Sequence, residues 1–311
     1  MESSTVVVTG GAGFIGSHIV DALVSAGHEV RVIDDLRTGH RDNIAHHGDN
    51  ITFVEGSITD METLQDVCAG ADAIVHQAAI ASVPESIEHP VVSHAVNVTG
   101  TLNVFEVARM LGIDRVVYAS SAAVYGDDPS LPKHEAMSHK PQSPYALHKC
   151  MNEYYAALYY ERYGLTTVGL RYFNVFGPRQ DPSSPYSGVI SIFADRIPRD
   201  EPITIFGDGT TTRDFVYVAD VVAANLLALA SATHSASVYN IGTGTATSLN
   251  ELAEVIGELS KRTPDITHAD PRSGDIKHSV SDITKAKTEL GYAPSVTFQE
   301  GIEELLISLR A

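Results

Sequence analysis

Two short stretches of this 311-residue chain have the residue types and spacing for one proton-transfer step. Tyr145-Ala-Leu-His-Lys149 sets a phenol and an ammonium four residues apart, on one face of a helix. A phenol with a pKa near about 10 is a poor base at neutral pH, but a cation one turn away favours the phenolate. Ser121, in Ser120-Ser121-Ala122-Ala123-Val124-Tyr125-Gly126, can hydrogen-bond the same substrate hydroxyl. A tyrosine and a lysine at this spacing are more often a solvated helix stripe, so the pair needs an independent signal.

That signal stands near the N-terminus. Gly10-Gly11-Ala12-Gly13-Phe14-Ile15-Gly16 satisfies GxxGxxG from Gly10 and GxGxxG from Gly11. Glycines at these positions permit a tight turn, let backbone N–H groups approach a pyrophosphate, and let the following helix sit close to the sheet. Eighteen residues after Gly16, Asp34 ends a β-branched run where a carboxylate can accept hydrogen bonds from both hydroxyls of an adenosine ribose. It would repel a 2′-phosphate, so NAD is favoured over NADP. Arg37 is the nearby residue able to pair with such a phosphate.

These groups have to be carried by strand ends and helix starts. β-Branched runs at Thr5–Thr9, Glu29–Ile33, Thr52–Glu55, Ala73–His76, Arg115–Ala119 and Thr166–Arg171 alternate with helical patterns at Phe14–Ala26, Met61–Cys68, Val98–Leu111 and Tyr145–Tyr163. The order predicts an α/β fold, a doubly wound parallel sheet of the Rossmann kind. A smaller C-terminal substrate-binding α/β region is expected after Arg171. The expected division is 1–171 for the dinucleotide, with part of 214–242 returning to it, and 172–311 mainly for the substrate.

Composition narrows the partners. Against 39 Asp+Glu stand 21 Lys+Arg, a formal charge of −18, so nucleic acid and anionic membrane are not expected as partners. The surplus fits an ordinary acidic enzyme or a salt-adapted surface. Met1-Glu-Ser-Ser leads into Thr5–Thr9 without an export-signal pattern, and Cys68 and Cys150 are far apart, so a reducing cytoplasm is expected. Cys150, about 100° round the helix from Lys149, is expected to pack rather than react. The 14 histidines, His46-His47 included, are read as solvated, and no metal site is expected.

Taken together, GGAGFIG, Asp34, His76-Gln-Ala-Ala79, Asn97-Val-Thr-Gly-Thr, SSAAVYG, YALHK, Arg171-Tyr-Phe-Asn-Val-Phe-Gly-Pro-Arg179, Thr212-Arg-Asp-Phe215 and Arg272-Ser-Gly-Asp275 resemble the extended short-chain dehydrogenase/reductase family. The resemblance covers nearly the whole chain. It implies catalytic Ser121, Tyr145 and Lys149. It implies an NAD site built from Gly10, Gly13, Phe14, Ile15, Gly16, Asp34, Asp35, Leu36, Ser57, Ile58, Gln77, Ala78, Ala79, Asn97, Tyr145, Lys149 and Phe173. A nucleotide-sugar site is implied at Ser82, Ser121, Tyr145, Asn174, Arg213, Arg272, Asp275 and Ser279. A homodimer joined as a four-helix bundle through Val98–Leu111 and Tyr145–Tyr163 is implied as well.

Within that family, enzymes that eliminate water carry an acid after the catalytic serine or threonine, where this chain has Ala122 and Ala123. Reversible oxidation at C4 needs no such acid, so 4-epimerisation of a UDP-sugar with tightly bound NAD is the expected reaction. A small residue at Ser279, where related epimerases use a bulky one to exclude an N-acetyl group, points to UDP-GlcNAc/UDP-GalNAc alongside UDP-Glc/UDP-Gal. The competing expectations are a UDP-glucuronic acid 4-epimerase, with Arg179 facing the C6 carboxylate, and a net nucleotide-sugar 4-reductase. A non-catalytic sugar-nucleotide sensor would be expected to lack Tyr145 or Lys149. Two positions depart from the family pattern. Ser57 precedes Ile58 where an aspartate is common, leaving Asp60 as a substitute, and Ala81 stands where some epimerases have a lysine.

Overall fold

A computed structural model describes residues 3–181, 188–271 and 276–310. Seven parallel strands form the central sheet: Thr5–Thr9 (β1), Glu29–Asp34 (β2), Ile51–Glu55 (β3), Ala73–His76 (β4), Arg115–Ser121 (β5), Thr166–Tyr172 (β6) and Ala236–Ile241 (β7). Their order across the sheet is β7-β6-β5-β4-β1-β2-β3. Both faces are covered, so the strands read as near-continuous apolar runs. In β1, Val7 points into a core with Phe105, Val107 and Tyr159, while Val6 and Val8 point into the opposite core with Ile19, Leu23 and Val222. The Met61–Cys68, Thr101–Leu111 and Pro144–Tyr163 helices contribute to the first core, and the Phe14–Ser25 and Val218–Ala230 helices to the second.

Strand order reverses between β1 and β4, because the crossovers leaving them lie on opposite faces. This opens a crevice at the carboxyl ends of the strands. The Gly10–Gly16 turn, Asp34, His76–Ile80 and Ser121 all stand on its rim.

The expected elements appear with boundaries shifted by at most three residues, and two differences have a physical cause. The expected helix from Val98 begins as an α-helix only at Thr101, after a π-helical segment, Ala95–Gly100. There Asn97 spends its amide on Ile80 and Thr101 Oγ1 donates to Asn97 O at 2.7 Å. The histidines are not uniformly solvated, since His28, His47, His76 and His148 are buried. His76 lies between Thr9 Oγ1 at 2.7 Å and Thr101 Oγ1 at 2.9 Å. Burial, with Lys149 nearby, pulls its pKa down to about 3, so it stays neutral.

Beyond β6 the chain builds a second core from Phe176, Phe193, Ile203, Phe215, Leu252, Ile256, Ile302 and Leu305. Short pairs frame it: Asn174–Phe176 runs parallel to Phe215–Tyr217, and Ile203–Phe206 parallel to Ile266–Ala269. β7 returns to the main sheet beside β6. Among the described residues, no helix is long and apolar enough to cross a membrane.

Candidate active site

Two glycines of the turn, Gly10 and Gly16, leave no room for a side chain. Gly10 is left-handed (φ +68°), and a Cβ there would lie 2.6 Å from Ala78 N; a Cβ on Gly16 would lie 2.0 Å from Gly10 O. Gly13 caps the Phe14–Ser25 helix without a side-chain hydrogen bond, so the first turn presents its N–H groups and the positive end of the helix dipole to the crevice. Asp34 braces the turn from β2. Its Oδ2 accepts from Ala12 N at 2.9 Å and its Oδ1 from Leu36 N at 2.9 Å. Burial pushes its pKa up against those two N–H groups. A cradle that excludes side chains, open N–H donors and a carboxylate one strand away fit a dinucleotide's pyrophosphate and ribose.

The other cofactor candidates line or support this crevice. Phe14 and Ile15 open the helix, and Asp35 is exposed beside left-handed Leu36 (φ +56°). Ile58 is buried against Gly100, and Ser57 Oγ lies 2.9 Å from Thr59 Oγ1. Ala78 N donates to Thr9 Oγ1 at 3.3 Å, and Gln77 Nε2 to Tyr172 OH at 3.1 Å, with Ala79 following in the same loop. Asn97 is placed behind that loop, holding Ile80 N and O at 2.8 and 2.9 Å. Phe173 packs on Tyr125 and Cys150, so Cys150 is a buried packing residue.

Three charged residues left open by the sequence have other partners. Arg37 pairs with Glu85, so the cation nearest the ribose acid is already neutralised. Asp60 caps the Met61–Cys68 helix through Glu62 N and Thr63 N and is not available as a substitute at Ser57. Arg179 pairs with Asp21 Oδ2 at 2.8 Å. His46 and His47, expected in solvent, both bond Asp21 Oδ1, at 2.9 and 2.8 Å. The guanidinium on the same carboxylate opposes a metal ion, so this cluster reads as one ion pair, Arg179–Asp21, with two histidine hydrogen bonds joining the loops to the helix.

The proton-transfer set converges at the end of β5. Tyr145 stands beside Ser121, whose Oγ caps the Ala122–Tyr125 turn by accepting from Ala123 N at 3.1 Å. Tyr145 N donates to Ser86 Oγ at 3.1 Å, fixing the helix start against the short Val83–Glu88 helix that Ser82 caps. Lys149 is buried. Its Nζ lies 5.7 Å from the centre of the Tyr145 ring and donates to Ala119 O at 2.7 Å. Burial raises the Tyr145 pKa and the Ser121 hydrogen bond opposes this. Burial also brings Lys149 down to about 8, while Glu153 resists that fall. Lys149 is therefore a cation on the edge of losing its proton.

On the C-terminal side, Asn174 is exposed at the edge of its short strand, beside Phe215. Arg213 Nη1 donates to Thr212 O at 2.9 Å and Ile276 O at 2.7 Å, and Ser279 N donates to Thr212 O at 3.2 Å, which brings Arg213 and Ser279 into one patch. Arg272 and Asp275 lie outside the described residues. Two supports escaped sequence reasoning. Buried Asp214 gathers Thr243 N, Gly244 N and Ser281 Oγ at 2.8, 3.0 and 2.5 Å, and Glu153 and Arg171 form a buried ion pair. Glu153 stands four residues after Lys149 on the same helix face, which was the available signal.

The family model for the NAD dependent epimerase/dehydratase family matches residues 6–242. A UDP-glucose 4-epimerase of Mycolicibacterium smegmatis is 40% identical over 301 residues, covering 95% of each chain. A UDP-N-acetylglucosamine 4-epimerase from Methanobrevibacter ruminantium, solved in complex with UDP-N-acetylmuramic acid, superposes with a TM-score of 0.96 at 38% identity, covering 100% of this chain and 99% of that one. A Thermus thermophilus UDP-glucose 4-epimerase, solved in complex with NAD, superposes with a TM-score of 0.90 at 40% identity, covering 99% of each.

Proposed function

The chain belongs to the NAD-dependent epimerase/dehydratase family, and from that premise we propose that it interconverts UDP-GlcNAc with UDP-GalNAc and UDP-Glc with UDP-Gal by epimerising C4. The observation that carries this reading is Tyr145 beside Ser121 with buried Lys149 next to it, at a turn whose next residues are Ala122 and Ala123. The set can move one proton at a hydroxyl, and the turn supplies no acid for expelling a second one.

When bound, NAD supplies a reversible hydride acceptor for C4, so the reaction has no net redox change. Tyr145, as phenolate, removes the 4-hydroxyl proton and later returns it. Ser121 orders that hydroxyl, and Lys149 stabilises the phenolate charge. The 4-keto sugar turns about its pyrophosphate link between the two half-reactions. The guanidinium of Arg213 suits the phosphates, with Asn174 beside it. Arg272 and Asp275 are proposed to complete the UDP site. In this division of labour residues 1–171 and part of 214–242 hold the dinucleotide, and the rest of 172–311 mainly the UDP-sugar.

The N-acetyl preference rests on Ser279, which is only half-buried. Ser279→Tyr is expected to cut turnover of N-acetylated sugars about tenfold or more relative to UDP-glucose. Equal loss on both would remove the gate argument. The reaction itself is tested by incubating the enzyme, without added cofactor, with UDP-Gal, UDP-GalNAc and UDP-GlcA separately and reading C4 epimers by NMR. Turnover of UDP-GlcA alone, or turnover that consumes stoichiometric NADPH, would overturn the proposal. Arg179, the expected partner of a C6 carboxylate, has Nη2 paired with Asp21 Oδ2 at 2.8 Å, and the UDP-GlcA incubation tests that competing reading.

A homodimer is proposed on the Thr101–Leu111 and Pro144–Tyr163 helices. Met110, Leu111, Leu147, Tyr154, Leu158 and Tyr163 are exposed there, and Leu147, Tyr154 and Leu158 recur at helical spacing on one face. Sedimentation equilibrium should give twice the chain mass, and Leu158→Glu should shift it towards one. A monomeric parent protein would refute the assignment. The proposed setting is the cytoplasm, in keeping with two free, buried cysteines.

A further inference from the structure

The Pro144–Tyr163 helix carries a third residue in line with Tyr145 and Lys149. Glu153 follows Lys149 by four positions, on the same face, and its side chain is 6% exposed. Its Oε1 accepts from Ser120 Oγ at 2.5 Å and Arg171 Nε at 2.8 Å. Its Oε2 accepts from Arg171 Nη2 at 2.6 Å and lies 3.0 Å from His139 Nε2. Arg171 sits directly across from Ser120 in the β5–β6 register, and its Nη1 donates to Tyr125 OH at 2.8 Å. Tyr125 closes the turn that follows Ser121 and donates to Asn240 Oδ1, on β7, at 2.6 Å.

The residue that Glu153 grips is the one between the two backbone positions the proton-transfer set depends on. Ala119 O receives the Lys149 ammonium, and Ser121 meets Tyr145. A carboxylate one helical turn from a buried lysine also opposes the loss of the lysine's proton. We propose that Glu153 is a positioning residue for the reaction, fixing the Ala119–Ser121 strand end through Ser120 and holding Lys149 as a cation.

This rests on the roles proposed above for Tyr145, Ser121 and Lys149. Lys149 is faced by Tyr145 and Glu153 of its own helix, by neighbouring His148 and by His76 of β4, with Tyr118 of β5, Arg171 of β6 and His139 around Glu153. Of these, His76 and His148 are held neutral by burial and by the ammonium itself, and the Tyr118 phenol is held protonated by burial. Glu153 is the carboxylate among them. It is itself held ionised, its pKa well below the usual range despite burial, by hydrogen bonds from Arg171, His139 and Ser120.

The sign of the effect follows. The lysine serves as a cation, so activity falls as pH rises through its pKa. Removing the negative charge lowers that pKa. Glu153→Gln should move the descending limb of the kcat profile down by about half a pH unit or more. Because Glu153→Gln leaves Arg171 buried without its partner, Glu153→Gln combined with Arg171→Met is the second variant, and it should shift the limb in the same direction by less, since the Arg171 cation that opposes the lysine's charge is lost as well. Ser120→Ala, which keeps the ion pair, should lower kcat about tenfold with KM and limb unchanged. Glu153→Asp should keep the limb and lose kcat, since it retains charge but not reach.

A purely structural glutamate would lower the melting temperature or the active fraction in these variants without moving the limb, and an unmoved limb overturns the proposal. If neither Gln variant folds, an unchanged kcat in Ser120→Ala overturns the positioning role, and a fall in kcat alone supports it. Tyr145→Phe serves as the reference. Should it remain active, the underlying catalytic assignment fails, whereas an inactive Tyr145→Phe with an unmoved limb in the Glu153 variants refutes this inference alone.

Discussion

Tyr145→Phe is expected to lower C4 exchange by about 10²- to 10⁴-fold, the range that a positioned acid/base contributes, while UDP-sugar binding stays within about threefold. The expectation follows from what the substitution leaves in place. The ring keeps its volume, and the backbone hydrogen bond from residue 145 to Ser86 Oγ is untouched. Lys149 keeps its bond to Ala119 O, and Ser121 keeps its hold on the Ala122–Tyr125 turn. What disappears is one oxygen, the one beside Ser121. NMR of the C4 epimers reads the rate, and calorimetry with UDP-sugar reads the binding. Parallel loss of binding and rate would make Tyr145 a binding residue and refute its role as base. The burial that raises the Tyr145 pKa sharpens the test. A phenol of this kind is protonated at neutral pH unless the Lys149 cation, and the positive ring of bound NAD, pull it down, so the wild-type enzyme should lose activity as pH falls through the phenol's shifted pKa.

The strands were legible because each is a β-branched run buried on both faces, and a run such as Thr5–Thr9 has no other way to bury Val6, Val7 and Val8. The glycine turn and Asp34 were legible because their spacing is set by backbone geometry within a single strand-turn-helix unit. The long-range pairings were not. Arg37 finds Glu85 across 48 residues, Arg179 finds Asp21 from the far side of the sheet's six N-terminal strands, and Asp214 finds Ser281 across 67. No periodicity in the chain encodes such a meeting, because it arises only after the sheet order brings separate loops to one rim. Asn97 shows the same limit on a smaller scale. Its motif marked a site, but only the fold shows that its amide is committed to Ile80. The acid surplus likewise gave a correct sign for the whole and no hint of the interior, where Lys149 and Arg171 are buried cations in a chain of formal charge −18.

Replacing Gly16 by alanine is expected to strip the protein of NAD without unfolding it. A Cβ at this position would lie 2.0 Å from Gly10 O, 2.8 Å from Gly10 C and 2.9 Å from Gly11 Cα, all of them backbone atoms. No side chain can swing aside, so the turn must open or the helix must back away. The turn resists. Gly10 N is bonded to Ile33 O at 2.8 Å, Ala12 N to Asp34, and any Cβ-sized shift of Gly10 towards β4 meets Ala78. The helix is the element left to move, and its first N–H groups are those proposed to hold the pyrophosphate. Overpacking of this order costs about 1–3 kcal/mol, and about 1.4 kcal/mol is already tenfold in affinity. Purified Gly16→Ala should therefore carry at least about tenfold less NAD per folded protomer, read from released nucleotide, with epimerase activity falling in step. Gly27→Ala is the control for backbone strain alone. Gly27 is left-handed (φ +84°) with no atom within 4 Å of its added Cβ. Alanine there should lower stability by about 1–2 kcal/mol and leave the NAD content unchanged. A Gly16→Ala protein that retains its full complement of NAD would mean that the close approach of turn and helix is dispensable for the cofactor, and the pyrophosphate would have to be assigned to another part of the crevice.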